Sequence, residues 1–518
     1  MFNKLFTAIK KYKKDNPKEF WLLVIILVVG AFLRLYRIPE YMTFLGDEGR
    51  DVIIVRRLIT ELDLILVGPG TSIGNMYLGP LYYYMMAPAL ALAGLSPVGP
   101  AIQIALLGVL TIWFVWFVAN QWFGKTAAFV AAFLYTISPT VIHYARSSWN
   151  PNIMPFFALL LIWSVWKFWI EKQWKWLIVT GVSMAFIMQS HYLGLILFPL
   201  IGLFWLLSYR GVVNKVKEKR LVIRYSLFSG AIFTALMSPL VIFDARHGWR
   251  NFAAIKKFFL ERQTTVSARP WTSLPKLWPN FVQINTSLLA ANQEKVGLYV
   301  SAAFVVLIIW LLRTQWSKFS SKTRSAYYLL IVWIGLALVG FGIYKQHIYD
   351  HYYGFIFPAL FIFLGGLLQY TLEKADKAGK NILLAGLALL VFVNLQNNAL
   401  LFEPNRQYPR SLAVAEKIKE EAKGNPFNLA VIAERNYEDG YQYHLERWKL
   451  DVRDIDSQLL DETVTDQLFV ICELVDREKC DPVHSPKAEV VNFGWTRTSE
   501  EWEVGGTMLY KLVHVERK

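Results

Sequence analysis

Residues 20–35 read FWLLVIILVVGAFLRL, an apolar run of nearly the length that crosses the hydrocarbon core of a bilayer as a helix. Ten similar runs follow along the chain. The sequence therefore predicts an α-helical polytopic membrane protein with about eleven spans. The predicted spans are residues 20–38, 98–120, 124–142, 153–170, 174–190, 192–209, 223–243, 296–313, 325–344, 352–372 and 380–398.

The composition agrees with a bilayer as the natural solvent. Of the 518 residues, 55% are hydrophobic and 15% aromatic, and the mean hydropathy is +0.34. A soluble enzyme of this length is less apolar. The net charge of +15 would suggest nucleic acid as a partner of a soluble domain. Here the basic residues concentrate in short segments between apolar runs, which indicates orientation in a membrane and no nucleic-acid partner.

The basic segments also predict the orientation. With the Lys-rich start at residues 4–18 in the cytoplasm, every second loop is basic, as the positive-inside rule requires. No small-residue cleavage site follows the first apolar run, so we expect it to be retained as a span. An odd number of spans then places the chain from residue 399 onward outside the cytoplasm. The predicted location is the cell membrane.

Two regions are expected to form domains. Residues 1–398 would be the membrane domain, with amphipathic helices in the first outer loop, residues 39–97. Residues 399–518 would be a small α/β extracytoplasmic domain, with a helix at 412–423 and strands at 429–433, 468–472 and 508–513. We single out no residue of this domain for a role. Its Cys472 and Cys480 are the chain's two cysteines, and the sequence leaves open whether they form a disulfide.

Polar residues that are costly to hold near a membrane fall into five clusters, all at predicted extracytoplasmic span ends. The inner loops contain mostly Lys and Arg, so the asymmetry suggests one shared site. Capping of helix ends is the alternative for any single cluster. The clusters are Asp47, Glu48, Arg50 and Asp51; His143, Arg146, Asn150 and Asn152; Gln189 and His191; Asp244, Arg246 and His247; and Lys345, His347, Asp350 and His351.

The residue types in these clusters indicate the chemistry. Adjacent carboxylates at Asp47 and Glu48 can serve as a general base or bind a hard divalent cation, although a helix cap followed by a dipole-satisfying Glu has the same pattern. Arg, Lys and His side chains can surround a phosphate. Tyr82, Tyr83 and Trp149 can stack on sugars, or can belong to an interfacial aromatic belt. The sequence has no Gly-x-Ser-x-Gly, His-Glu-x-x-His or P-loop motif.

The order of several short motifs resembles the C-type membrane glycosyltransferases of family 39 and their relatives, which include protein O-mannosyltransferases and lipid A aminoarabinose transferases. The resemblance extends from the first span to about residue 370. The motifs are Gly46-Asp47-Glu48, Gly79-Pro80-Leu81-Tyr82-Tyr83, Phe123-Gly124-Lys125, Ser138-Pro139 with Tyr144-Ala145-Arg146, Asp244-Ala245-Arg246-His247-Gly248, and Asp350-His351-Tyr352-Tyr353 with Pro358.

This resemblance implies a cavity open to the bilayer and to the external aqueous phase. The implied reaction is inverting transfer of mannose, or of another hexose or pentose, from a polyprenyl-phosphate donor to a hydroxyl of a protein, lipid or glycan acceptor, as in protein glycosylation or lipopolysaccharide modification of the cell envelope. Asp47 would be the base and Glu48 its support. The implied phosphate ligands are Arg246, His247, Lys345, His351, Arg146 and His191, and the implied substrate contacts are Tyr82, Tyr83, Trp149, Asn150, Asp244 and Asp350.

One departure from the family pattern bears on metal dependence. Relatives often have a second acidic residue where this chain has Trp149-Asn150-Pro151-Asn152. Because Asn is a weaker ligand than a carboxylate, we expect chemistry that requires no cofactor. A divalent cation, Mg or Mn, held by Asp47 and Glu48 is the alternative.

Two other functional classes remain in competition. A transporter or flippase for a lipid-linked glycan would place its polar groups near the bilayer midplane, often in repeated halves, and no repeat is visible here. A membrane scaffold that presents the C-terminal domain would leave the clustering of polar residues on one side unexplained.

Overall fold

The computed structural model describes residues 2–71, 76–260, 265–267 and 269–515, and helices dominate this part of the chain. The helices that precede the C-terminal sheet region are α1 Phe2–Asp15, α2 Pro17–Leu35, α3 Ile38–Tyr41, α4 Gly46–Glu61, α5 Leu81–Leu92, α6 Val98–Trp122, α7 Lys125–Ile137, α8 Pro139–Tyr144, α9 Met154–Trp169, α10 Trp176–Ser190, α11 Leu197–Arg210, α12 Val216–Arg246, α13 Arg250–Leu260, α14 Leu274–Leu288, α15 Glu294–Thr314, α16 Ser321–Ile343, α17 Phe357–Lys374 and α18 Lys377–Gln396.

All eleven predicted spans fall on helices. In the described residues, eight helical segments are long and apolar enough to cross a membrane: Val98–Trp122, Asn150–Trp169, Tyr192–Arg210, Val216–Arg246, Glu294–Thr314, Ser321–Ile343, Asp350–Lys374 and Lys377–Gln396. The other three predicted spans fall on α2, α7 and α10. Helix α2 contains Lys18, Glu19 and Arg34, whereas α7 and α10 have 13 and 15 residues. The prediction of a multi-pass helical membrane protein is confirmed.

Small residues bring the central helices close together. Ala127, Ala128, Ala131 and Ala132 of α7 are fully buried. Gly365 of α17 lies so near that an added Cβ would be 2.5 Å from the carbonyl oxygen of Ala127. Apolar side chains gain no hydrophobic energy by leaving lipid, so membrane helices associate through such close packing and through hydrogen bonds.

The first outer loop contains the predicted amphipathic helix. Helix α4 buries Val52, Ile53 and Val55, and its Arg56 and Arg57 both form ion pairs with Glu446. After α4 the chain turns through Pro69 and Gly70, and Gly70 pairs with Tyr77 in an isolated β-bridge. Helices α4 and α5 pack together above the membrane helices.

The C-terminal region forms a four-stranded sheet with the order β1-β2-β4-β3, in which β1 and β2 are parallel and the other neighbours antiparallel. The predicted helix and three predicted strands are confirmed. Strand β3 was not predicted because its sequence, TRTSEEWEV, is mostly polar and its side chains are largely exposed. The elements are α19 Gln407–Ala422, β1 Asn428–Ile432, α20 Asp439–Arg447, α21 Leu460–Thr463, β2 Gln467–Cys472, α22 Ala488–Phe493, β3 Thr496–Val504 and β4 Thr507–His514.

Cys472, at the end of β2, forms a disulfide with Cys480. The bond closes a loop of eight residues beside the last residue of a buried strand. The question that the sequence left open is thereby answered in favour of a disulfide.

Helix α20 of the C-terminal region lies against the N-terminal turns of α4. A Cβ added to Gly49 would be 2.3 Å from the carbonyl carbon of Asp439 and 2.3 Å from the amide nitrogen of Gly440. The Tyr443 hydroxyl donates a hydrogen bond to the carbonyl oxygen of Leu95. The C-terminal region therefore lies on the same face of the membrane helices as the first outer loop.

We expect Gly49→Ala to destabilise the protein. The new methyl group would overlap backbone atoms of α20, and overpacking of this kind costs about 1–3 kcal/mol, which exceeds the roughly 1 kcal/mol that Ala gains over Gly in a helix. Thermal unfolding of the purified protein in detergent measures the effect. Gly202→Ala in α11 is the matched control, because an added Cβ there meets no atom within 4 Å. A Gly49→Ala variant as stable as that control would contradict the close contact.

Candidate active site

A cleft of about 500 Å³ lies where the first outer loop, the ends of several membrane helices and the C-terminal region meet. Four separate parts of the membrane domain contribute to its wall, and one residue comes from the C-terminal region. The lining residues are Asp47, Arg50, Pro69, Gly70, Thr71, Leu78, Trp149, Asn150, Pro151, His191, Tyr349, His351, Tyr352 and Tyr437.

Asp47 places a carboxylate at this cleft. Its side chain is 36% exposed, and its Oδ1 accepts a hydrogen bond from Nη1 of Arg50 at 2.8 Å. Arg50 also binds Asp51 at 2.8 Å, and Asp51 is buried and accepts a further hydrogen bond from the Tyr83 hydroxyl at 2.9 Å. Burial raises the pKa of Asp51, and the charge of Arg50 opposes this shift. The buried carboxylate of Asp51 thus holds the Arg50 side chain in place, while Asp47 remains accessible to a ligand.

Glu48 points away from the cleft and caps its own helix. Its Oε2 accepts a hydrogen bond from the backbone N–H of Leu45 at 3.0 Å, which forms half of a capping box. The side chain is buried, and burial raises its pKa to about 7. The structure therefore shows Glu48 in the capping role that the sequence left open as an alternative. Of the two adjacent carboxylates, Asp47 lines the cleft and Glu48 does not.

Two of the predicted phosphate ligands, His191 and His351, line the cleft together. Their ring centroids are 6.0 Å apart, and the ring of His351 lies 4.6 Å from that of Trp149. His191 Nδ1 accepts a hydrogen bond from the backbone N–H of Leu193 at 3.2 Å. That bond requires the neutral tautomer with its proton on Nε2, which leaves Nε2–H as a donor.

His191 also lines a second cavity, which is apolar. This cavity has a volume of about 130 Å³ and is bordered by α13, by α16 and by the 3-10 helix that follows His191. Ile196, Phe258, Ile343 and Tyr344 contribute to its wall. The polar cleft and the apolar cavity therefore meet at one histidine.

The other predicted phosphate ligands do not line the cleft. Arg146 is buried, donates to the carbonyl oxygen of Tyr36 at 2.7 Å and lies 4.5 Å from the ring of Tyr41, so it holds α2 to the outer loop and is unavailable to a phosphate. Arg246 is exposed at the end of α12, and His247 stacks on Phe243 at 4.0 Å. Lys345 is exposed after α16, where its backbone N–H donates to Thr265.

Three predicted substrate contacts have structural roles instead. Tyr82 is buried and its hydroxyl lies 2.6 Å from that of Ser148, and Tyr83 is buried against Asp51. Neither ring is accessible for stacking on a sugar. Asp244 is buried and accepts hydrogen bonds from the first-turn amides of α13, at 2.7 and 2.9 Å from Asn251 and Phe252.

The remaining predicted contacts lie at or beside the cleft. Trp149 and Asn150 line it. Asn150 is buried and its Nδ2 donates to the carbonyl oxygen of Ser190 at 2.7 Å, so its amide joins the segment before α9 to the last residue of α10. Asp350 precedes His351 and is hydrogen-bonded to Ser287.

The cleft wall also contains charged and aromatic residues that were not predicted as site residues, namely Arg50, Tyr349, Tyr352 and Tyr437. Arg50 and Tyr352 belong to motifs that the sequence singled out, and Tyr349 immediately precedes one of them. Tyr437 lies 390 positions beyond Asp47 in a region with no recognisable motif, and the sequence contains no signal that would have found it.

Comparison with known proteins supports the fold. Residues 78–243 match the family model described as dolichyl-phosphate-mannose-protein mannosyltransferase. A putative mannosyltransferase YkcB of Bacillus subtilis (strain 168) is 25% identical over 226 residues. The match covers 42% of this chain and 30% of the relative, so the chain spans less than a third of that relative's length.

Two solved structures have the same architecture. ArnT from Cupriavidus metallidurans, bound to undecaprenyl phosphate, is similar with a TM-score of 0.59 and 13% identity, over 95% of this chain and 97% of that one. The oligosaccharyltransferase AglB from Archaeoglobus fulgidus, in complex with an inhibitory peptide and a dolichol-phosphate, has a TM-score of 0.51 and 12% identity, over 89% and 70%. The predicted C-type glycosyltransferase fold and family resemblance are confirmed.

The raised pKa of Glu48 predicts a pH-dependent stability. A carboxyl group whose pKa is about 7 in the folded state binds more protons than in the unfolded state, so its contribution is present at low pH and is lost as pH rises toward 7. Glu48→Gln keeps a side-chain oxygen that can accept the hydrogen bond from the Leu45 amide. We expect this variant to reduce the change in unfolding free energy between low and high pH by up to about 3 kcal/mol. Unfolding temperatures of wild type and variant at pH 5 and pH 8 measure it. An unchanged difference between the two pH values would contradict burial of an ionisable Glu48.

Proposed function

We propose that this chain, a membrane protein of the C-type glycosyltransferase fold, transfers a sugar from a polyprenyl-phosphate donor to an acceptor hydroxyl with inversion at the anomeric carbon. One observation carries the proposal: a polar cleft that exposes the Asp47 carboxylate meets an apolar cavity at His191. A lipid-linked sugar phosphate has an apolar chain, a phosphate and a polar sugar in that order, and it requires this sequence of environments.

The proposed reaction uses Asp47 as its base. Asp47 accepts the proton of the acceptor hydroxyl, and the acceptor oxygen forms a bond to the anomeric carbon of the donor sugar. The bond between that carbon and the phosphate oxygen breaks, and its electron pair goes to the phosphate, which leaves as polyprenyl phosphate. Attack from the face opposite the phosphate inverts the anomeric centre.

The leaving phosphate requires hydrogen-bond donors and positive charge. His191 and His351 line the cleft, and His191 also borders the apolar cavity. The phosphate would lie between these histidines and the hydroxyl groups of Tyr349 and Tyr352. Donors that are already in place stabilise the charge that develops as the bond breaks, without reorganisation at that moment. Arg50 adds a fixed cation at the Asp47 side of the cleft.

Similar proteins of known structure support this donor class. The ArnT structure contains undecaprenyl phosphate and the AglB structure a dolichol-phosphate, and the matching family is named for dolichyl-phosphate mannose. Mannose is accordingly the first sugar to test, followed by other hexoses and pentoses. A protein, a lipid and a glycan remain the three acceptor classes.

Orientation in the membrane is part of the same proposal. The positive-inside pattern supports a location of the cleft and the C-terminal region outside the cytoplasm. The contact between α4 and α20 supports one location for both.

Metal-independent chemistry also belongs to the proposal. Within the described ranges, no group of three or more His, Cys, Asp or Glu side chains is placed to hold a metal ion. Asp47 is paired with Arg50 at 2.8 Å, and Glu48 is turned into its capping box. The cation that balances Asp47 is therefore a guanidinium, and the donor set that a hard divalent ion prefers is not assembled there.

We expect Asp47→Asn to lower sugar transfer by at least about 100-fold, because an amide of the same shape cannot accept the proton. Purified protein is incubated with radiolabelled polyprenyl-phosphate mannose, and then with glucose and arabinose donors, and loss of label from the lipid is measured. A membrane lipid extract, a Ser/Thr-rich peptide and an oligosaccharide serve as acceptor probes. Asp63→Asn is the matched control, because Asp63 is an exposed carboxylate shortly after the same helix.

Each result of this experiment has a defined meaning. Full activity of Asp47→Asn would refute its role as base while leaving the transferase proposal intact. Donors that stay intact with every sugar and acceptor would instead favour a transporter or scaffold.

We further expect removal of divalent cations to leave transfer within about twofold of the untreated rate, because Arg50 supplies a fixed positive charge and the cleft histidines supply hydrogen-bond donors. The protein is treated with EDTA, and donor consumption is compared before and after addition of Mg²⁺ or Mn²⁺. A loss that either cation restores would establish metal dependence and overturn this part of the proposal.

A further inference from the structure

The C-terminal region contributes an aromatic residue to the cleft wall. Tyr437 lies between β1 and α20 and lines the cleft together with Asp47 and Arg50. Its side chain is 47% exposed, whereas Tyr441 and Tyr443 of the adjoining helix are buried. Tyr437 therefore presents a ring to the cleft and is not part of the core of its own domain.

Hydrogen bonds hold the backbone of Tyr437 in place beside the catalytic helix. Asn436 Oδ1 accepts from the amide of Tyr437 and from the amide of Gly46, both at 2.9 Å. Asn436 Nδ2 in turn donates to Glu473 at 2.8 Å, and the Tyr441 hydroxyl donates to the same carboxylate. The buried Asn436 side chain thus holds the backbone of Gly46, which precedes Asp47, and the backbone of Tyr437.

The ring of Tyr437 packs directly on the backbone of Gly46. A Cβ added to Gly46 would lie 1.9 Å from Cδ2 and 2.6 Å from Cε2 of the tyrosine, so any other residue at position 46 would displace the ring. Electrostatics agrees with this location, because the charge of Asp47, with burial as a second cause, raises the pKa of Tyr437. The ring is therefore anchored against α4 on one side and accessible from the cleft on the other.

The proposed orientation of the donor in the cleft brings its sugar to the ring of Tyr437. With the lipid in the apolar cavity and the phosphate beside His191, the sugar extends away from His191 toward Asp47, where its anomeric carbon is attacked. Tyr437 borders that part of the cleft. Aromatic rings offer an apolar face to the C–H groups of a sugar and a hydroxyl to its polar edge, and they are common in pockets that orient polar ligands.

We propose that Tyr437 binds the transferred sugar, so that the C-terminal region completes the active site by packing its ring between Gly46 and the donor. This assignment rests on the proposed function and adds a sugar-binding residue to it. Asn436 is the positioning residue of this arrangement, because its side chain acts through the backbone amides of Gly46 and Tyr437.

The test compares a lipid phosphate that bears the sugar with one that does not. Binding of undecaprenyl-phosphate mannose and of undecaprenyl phosphate to the full-length protein in detergent is measured by displacement of a radiolabelled polyprenyl phosphate, without any acceptor. We expect wild type to bind the mannose-bearing lipid more tightly. Tyr437→Ala should reduce that affinity by about tenfold and leave the affinity for undecaprenyl phosphate unchanged.

Two further variants separate sugar binding from a structural role. Tyr437→Phe retains the ring and should retain most of the preference for the mannose-bearing lipid. Trp495→Ala removes another exposed aromatic side chain of the C-terminal region, 74% exposed and not among the residues that line the cleft, and should behave as wild type. Unchanged binding of undecaprenyl phosphate by Tyr437→Ala shows that the site itself is still folded.

The outcomes distinguish this inference from the proposed function. If Tyr437→Ala keeps the full preference for the mannose-bearing lipid, or weakens both ligands equally, Tyr437 does not bind the sugar and the inference is overturned. The same conclusion follows if wild type binds both lipids equally. If wild type binds neither lipid, the proposed donor class is wrong, and the assignment of Tyr437 is rejected with it.

Discussion

The contact between α4 and α20 is the constraint on which the candidate site depends. Gly46 and Gly49 lie about one turn apart and have no side chains, so the segment around Tyr437 and the start of α20 can approach the backbone of α4. Ion pairs from Arg56 and Arg57 to Glu446 continue this contact further along α4. The same contact places the helix that carries Asp47, positions the ring of Tyr437 and determines the face of the membrane domain on which the C-terminal region lies.

The acidic side chains at the start of α4 lie in two environments, one buried and one open to the cleft. Asp51 and Glu48 are buried and engaged in hydrogen bonds, and burial raises the pKa of each. Asp47 is the accessible carboxylate, and Arg50 lies between it and Asp51. Burial also raises the pKa of Asp439 in α20 to about 7. The groups that stabilise the helix are thus separated from the group that faces a ligand, although all of them lie within a few residues of one another.

Much of the fold could be predicted from the sequence, and only part of the site. Spans are recognisable because every residue in a run of about 20 must tolerate lipid, and the loops between them carry a charge bias. Asp47, His191 and His351 line the cleft, as expected for residues at span ends on one predicted side, and their roles in the reaction stay predictions. Arg146, Tyr82 and Asp244 were assigned to substrate but are buried in structural hydrogen bonds, because a motif does not reveal which way a side chain points.

By itself the sequence determined the class of protein, the positions of the spans, their expected sidedness and the family resemblance, because these depend on composition and on local order along the chain. Only the tertiary structure decided that Glu48 caps its helix while Asp47 faces the cleft, that Cys472 and Cys480 are bonded, and that Tyr437 lies beside Asp47. The physical reason is distance along the chain. Contacts between residues 46–57 and 436–446 join segments that are far apart in the sequence, and no local pattern specifies which segments will pack together.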